Sequence, residues 1–354
     1  MILAALLAGC GGQDDEPEPT LRPTAIPPTP TPRSTALPAV PEAPALGEPG
    51  RPIELQIVLP GSPGANAITT SNELEAELLR QLDLTVEITF VEDESAALSA
   101  ICNGSVNGNA SAAWISPFSL IVAEGECDAV PTLALVQGTS PRARAGLSAD
   151  IIAAASIDSL DQIAGQTFCR LSSQDLTTWL YPSLVLSAQG ISPLADLGHI
   201  IDRADYLALL RAVYGGDCAA AALPAGEFDD LVDDLVDALD DDAVSRDDIL
   251  DAVEVLVPAG DTAAPTSPET WDGFAEHVIP FDVLVFPASH MIPADMREAL
   301  TQALESFFGS RTSGRTRLGA LFGEASQVLP VDPEDYDAFR SAIRQSGWNM
   351  AFLE

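Results

Sequence analysis

The chain has 354 residues and a formal net charge of −37, and all 16 of its basic residues are arginine. So acidic a chain does not seek nucleic acid or an anionic membrane face through its bulk field, which excludes those partner classes on charge alone. Hydrophobic residues make up 47% of it, enough for a packed globular core, and the acidic excess reads as a solubilising surface.

Residues 2–8 are apolar, and Leu7-Ala8-Gly9-Cys10 resembles a lipobox, in which the peptide is cut before the cysteine and the thiol takes a diacylglyceryl group. No basic segment precedes it, so residues 1–9 are expected to be the remnant of a longer signal peptide. Residues 10–50 are rich in Pro, Thr, Ala and Glu, and the run PTAIPPTPTP cannot bury a core; an extended, disordered tether is expected. No later run is long and apolar enough to span a bilayer.

Residues 53–59 (IELQIVL) predict a first strand, and 60–64 (PGSPG) a loop that carries Ser62. Thr70-x-x-Glu73 resembles a capping box, predicting a helix over 72–81. A second strand is predicted at 84–91, a helix at 94–101 and a third strand at 112–115. Ser116-Pro117 then places an N-cap before a proline at the first helical position. Strands alternating with helices predict α/β layers with a largely parallel sheet, whose ligands sit at the carboxyl ends of the strands.

Residues 166–171 (QTFCRL) predict another strand, and a hydroxyl-rich run over 172–178 leads into an apolar helix ending near Gly190. Pro182 bears on the start of that helix, because a proline beyond the first turn loses a hydrogen bond and clashes one turn back. A cap at Asp175 would put Pro182 deep inside, so a start at Thr177 or Thr178 is expected, with both threonines beside unpaired N–H groups. Further strands are predicted at 199–202, 218–223 and 253–257, and helices at 294–308, 318–322 and 335–346. Residues 226–251 set Leu and Val at helical spacing in a field of Asp. That pattern reads as an amphipathic helix with a solvated acidic face; calcium is the other reading, but the EF-hand loop with its central Gly is absent.

Phe168-Cys169, the hydroxyl-rich loop, W-x-x-P-S at 179–183, Gly190-Ile191 and AVY-x-GDC at 212–218 resemble, in that order, the periplasmic binding proteins of phosphate/phosphite/phosphonate ABC transporters. The resemblance runs from about Arg51 to Phe339. It implies an α/β, two-lobe type II periplasmic-binding-protein fold with two hinge crossovers, the first following residues 131–146 and the second within 279–288. Lobe 1 would take 51–150 and 278–354, and lobe 2 would take 151–277 with an acidic helical elaboration at 226–251.

The same resemblance implies a ligand set of Thr177, Thr178, Ser116, Tyr206, Ser62 and Ser95. Where the family has a Ser-Thr-Ser-Gly run this chain has Asp175-Leu176-Thr177-Thr178, and an ionised Asp175 would repel an anion. Aromatic positions of the family fall at Ser95 and Leu120, a histidine falls at Tyr206, and an acidic residue after GDC falls at Ala219. The implied function is a lipid-anchored, extracytoplasmic receptor that passes a small anion such as phosphate, phosphite or a phosphonate to an ABC permease. It would act as a monomer that touches the membrane only through its lipid, without cofactor, metal or nucleic acid. The alternative is the same fold holding a different small organic solute, as a transport receptor or a ligand-sensing subunit.

No catalytic residue is expected: His199, His277 and His290 are scattered, and no zinc-protease, nucleophile-elbow, phosphate-loop or dinucleotide motif occurs. An enzyme on the same fold and a purely structural surface protein are the remaining classes. With Cys10 assigned to lipid, four cysteines remain, and exported chains commonly oxidise such a set. Of three pairings, Cys102–Cys127 and Cys169–Cys218 stay within lobes and leave the hinge free, and these are expected.

Overall fold

The computed structural model describes residues 43–59, 61–139, 142–239, 244–265, 271, 273–276, 278–309 and 312–347. Cys10, residues 1–9, nearly all of the expected tether and His277 lie outside the described residues.

In chain order, β1 (Ile53–Val58), α1 (Ala65–Leu82), β2 (Val86–Val91), α2 (Glu94–Asn103), β3 (Ser111–Ile115), α3 (Pro117–Cys127) and β4 (Val130–Gln137) come first. A short β5 (Gly146–Leu147) leads to β6 (Ala149–Ala154), β7 (Thr167–Arg170), α4 (Tyr181–Ala188), α5 (Pro193–Asp196) and β8 (His199–Asp202). Then follow α6 (Tyr206–Tyr214), β9 (Ala220–Pro224), α7 (Phe228–Leu239), α8 (Arg246–Ala252) and β10 (Val253–Val257). The chain returns through β11 (Ile279–Pro280) and β12 (Val283–Phe286) to α9 (Ala294–Phe308), α10 (Ser313–Phe322), β13 (Ala325–Pro330) and α11 (Asp337–Ser346).

These strands form two sheets, ordered β13-β4-β12-β3-β1-β2 and β10-β6-β9-β7-β8. In each, one antiparallel crossover strand lies inside: β12 between β3 and β4, and β6 between β9 and β10. The two crossovers pair with each other as β5 and β11. This is the two-lobe type II plan with two hinge crossovers. A Cβ on Gly146 would lie 2.6 Å from the carbonyl oxygen of Ile279, so a residue without one lets the crossovers meet.

Register fixes which sheet ends face the hinge. The start of β12 at Val283 pairs with the end of β3 at Ile115, and the start of β6 at Ala149 pairs with the end of β9 at Pro224. Because β1, β2 and β3 are mutually parallel, as are β7, β8 and β9, both lobes turn their carboxyl ends to the hinge. One apolar cluster runs from Ile115 and Val285 in lobe 1 through Ile279 to Ile151, Phe168 and Trp179 in lobe 2. Separate clusters close the outer faces, with Trp114 and Phe308 in lobe 1 and Leu209 and Leu235 in lobe 2.

Several expectations shift. Helix α1 starts at Ala65, after an extended Gly64, and Thr70 and Ser71 lie buried within it rather than at a cap. Leu46 packs into the lobe 1 core and the Gly47 carbonyl accepts from Thr85 N, so the last residues of the expected tether belong to the folded part. Ala149 and Asp150 lie on the lobe 2 sheet, in β6. Helix α7 buries Val232 and Leu235 fully, so the acidic segment is also part of the lobe 2 core. Cys102 is bonded to Cys127 and Cys169 to Cys218, each within its lobe.

Candidate functional site

Every candidate ligand residue follows the carboxyl end of a strand: Ser62 in the loop after β1, Ser95 in the first turn of α2 after β2, Ser116 at the helix cap after β3, Thr177 and Thr178 in the helical turn beyond β7, and Tyr206 at the start of α6 after β8. Ser62 and Ser95 are exposed, and Ser116 and Tyr206 are half-buried. Tyr206 opens α6, behind an Asp205 cap that accepts from Ala208 N. Burial raises its phenol, and the carboxylates of Asp175 and Glu227 push it the same way.

The lobe 2 helix starts earlier than the proline argument expects. Asp175 is its N-cap, and residues Leu176–Leu180 make one wide π-type turn before α4. Leu180 N bonds the Asp175 carbonyl at 3.0 Å and Tyr181 N bonds the Leu176 carbonyl, both spanning five residues. Pro182 is thus the second residue of the regular α-helix, and the widened turn absorbs the missing N–H and the ring.

That correction changes what the threonines can do. Asp175 Oδ1 accepts from Thr177 N at 3.1 Å, Thr178 N at 2.6 Å and the Thr178 hydroxyl at 2.8 Å. The hydroxyl of fully buried Thr178 also accepts from Leu171 N at 3.0 Å. Arg170 is held by Asp202 at 2.8 Å and stacks over the Trp179 ring at 4.4 Å.

Lobe 1 repeats the pattern with Glu94, which opens α2 but reaches across to the start of α3. Its carboxylate accepts from Ser116 N at 3.1 Å, from the Ser116 hydroxyl at 2.7 Å and from the Ser119 hydroxyl. Asp282 lies in the second crossover, between β11 and β12 and immediately before Val283. Solvent reaches its side chain, yet the protein packed around it raises its carboxyl to about 6, with the Glu94 carboxylate adding to the rise.

Sequence reasoning missed Glu94 and Asp282. Nothing local distinguishes a glutamate that bonds a serine 22 positions away, or an aspartate within an apolar crossover. Among the described residues no group of three His, Cys, Asp or Glu is placed to hold a metal ion, and no helix is long and apolar enough to cross a membrane.

The family described as ABC transporter, phosphonate, periplasmic substrate-binding protein matches residues 57–336. No curated protein matches the chain. Among solved structures, a binding protein component of an ABC phosphonate transporter from Pseudomonas aeruginosa is 14% identical, covering 84% of this chain and 87% of its own, with a TM-score of 0.42. PhnD1 from Prochlorococcus marinus, in complex with methylphosphonate, is 12% identical over 84% of this chain and 98% of its own, with a TM-score of 0.42. A TctC solute-binding protein from Polaromonas is 14% identical over 84% and 98%, with a TM-score of 0.46.

Proposed function

The chain belongs to the family of periplasmic substrate-binding proteins of phosphonate ABC transporters, and from that membership we propose that it is a monomeric, lipid-anchored receptor that captures a small solute between its lobes and presents it to a permease. The observation that carries this reading is the register, by which two sheets turn their carboxyl ends toward one pair of crossovers. Loops gathered at such ends are where open α/β sheets bind ligands. Two lobes joined by short crossovers close by hinge motion.

Ser62, Ser95 and Ser116 would line the cleft from lobe 1, and Thr177 and Tyr206 from lobe 2; Thr178, expected among them, is fully buried with its hydroxyl bonded to Asp175 and Leu171 N, and supports the turn from beneath. The anchor would be Cys10, and Cys10→Ser should move the protein from the membrane fraction to the soluble one. The family's phosphonate-type anion is one ligand reading. A different small organic solute is the second, and it is favoured by the commitment of Ser116, Thr177 and Thr178 donors to Glu94 and Asp175. A thermal-shift screen of the purified protein against anionic, neutral and cationic solutes tests the receptor reading. One class should raise the melting temperature in a concentration-dependent way. No stabilisation by any of them would count against a solute receptor.

A further inference from the structure

At the helix starts that follow β7 and β3, backbone N–H and hydroxyl donors are bonded to carboxylates of the chain itself, and this holds in both lobes. In lobe 2, a single oxygen of Asp175 gathers two backbone N–H groups and the Thr178 hydroxyl. In lobe 1, Glu94 gathers one backbone N–H and two serine hydroxyls, although it belongs to a different helix from the one it serves. The cap of that helix is Ser116 itself, which bonds Ser119 N, so Glu94 is an addition to a helix start that already has a cap. Six donors, at helix starts on two separate sheets, are thereby occupied by the chain's own carboxylate oxygens.

We propose that Asp175 and Glu94 are specificity-determining residues: each holds the place of a ligand oxyanion, so that the cleft excludes phosphate-type anions and takes a neutral or cationic organic solute. The inference rests on the receptor reading above. Its chemistry is direct. A dianion entering the cleft finds its hydrogen-bond donors engaged in charge-assisted bonds, and it approaches fixed negative charge from both lobes. The nearby arginine offers little compensation, since Arg170 is tied to Asp202 and to the Trp179 face. In the second crossover, the exposed Asp282 carboxylate has no side-chain hydrogen-bond partner among the described residues, which leaves an acceptor open to a solute that donates.

The test is titration calorimetry of the full-length protein with inorganic phosphate and with methylphosphonate. Wild type, Asp175→Ser, Glu94→Gln and the double variant are compared, with circular dichroism melting to establish folding. Asp175→Asn, which keeps an acceptor oxygen at the cap, replaces Asp175→Ser should that variant not fold. The account expects no anion binding by wild type at millimolar concentration, and a gain of at least about tenfold in affinity in the double variant, the order of size of losing one like-charge repulsion and freeing several donors. Anion binding by wild type, or variants that bind no better than wild type, overturns it. The solute screen separates the two levels. Stabilisation of wild type by anions alone would sink this inference and leave the receptor reading standing. Stabilisation by nothing would count against the receptor, while the variants still report on Asp175 and Glu94.

Discussion

Thr178 and Asp282 carry opposite physical problems. Thr178 is fully buried, and its hydroxyl is the partner of both Leu171 N and Asp175. Thr178→Val keeps the shape but leaves a buried N–H without its acceptor, which costs about 1–3 kcal/mol. Urea unfolding should show that loss, whereas Thr177→Val, whose hydroxyl makes none of these bonds, should stay within about 0.5 kcal/mol of wild type. Asp282 has its carboxyl raised from 3.8 to about 6, chiefly by desolvation. A carboxyl raised in the folded state favours folding while it is protonated, so its contribution is fullest below about pH 4 and is lost as pH climbs through 6. Asp282→Asn should therefore stabilise the protein at pH 7.5. Because solvent reaches the group, the gain is set at about 1 kcal/mol after screening rather than the full linkage value. Thermal melts at pH 4 should show wild type and variant converging; a gap that is equal at both pH values would refute the assigned cause.

At the scale of elements, α7 is the instructive case. Its acidic face looks like surface elaboration, yet Val232 and Leu235 are fully buried against α6 and the sheet beneath. Leu235→Ala should cost about 2–5 kcal/mol in chemical denaturation; a change under about 1 kcal/mol would mean that the helix is only draped on the lobe. Elements with strong local signals were legible: Ser116-Pro117 does open α3, and α9 spans residues 294–308 as its apolar spacing predicts. Other strands lack a clear local signal, each for its own reason. β6 is an Ala-rich run, ADIIAA, buried on both faces and so without alternation. β4 is expected only as the lead to the first crossover and β12 as part of the return crossover, yet both are inner strands of the lobe 1 sheet. β13, ASQVLP, ends in a proline and occupies the sheet edge, where the missing N–H is tolerated. The helix start at Asp175 was misread because a proline seven residues on argues against it in an ideal helix, and only a π-type turn reconciles the two. The candidate site's position after strand ends was legible, since strands and helices alternate in order. Its carboxylate partners were not, because the Glu94–Ser116 bond depends on how α2 and α3 are set on the sheet.

The whole molecule is two sheets whose loops face a pair of crossovers, with one apolar cluster continuous across the hinge. Both disulfides lie within lobes, so neither ties one lobe to the other. Helix α11, at the end of the lobe 1 part of the chain, packs against α4 of lobe 2. In the proposed receptor, closure would be a rotation about β5 and β11 that brings the loop after β2 toward the loop after β7. Glu92 and Ser173 are exposed on those two loops and suit a pair of nitroxide labels. The measurement is the inter-label distance, by pulsed electron paramagnetic resonance, with and without the solute that stabilises wild type in the thermal screen. The account predicts a shorter and narrower distance distribution when that solute is bound. A distribution that stays unchanged while the solute still raises the melting temperature would place binding outside the cleft and contradict a receptor that closes over its ligand.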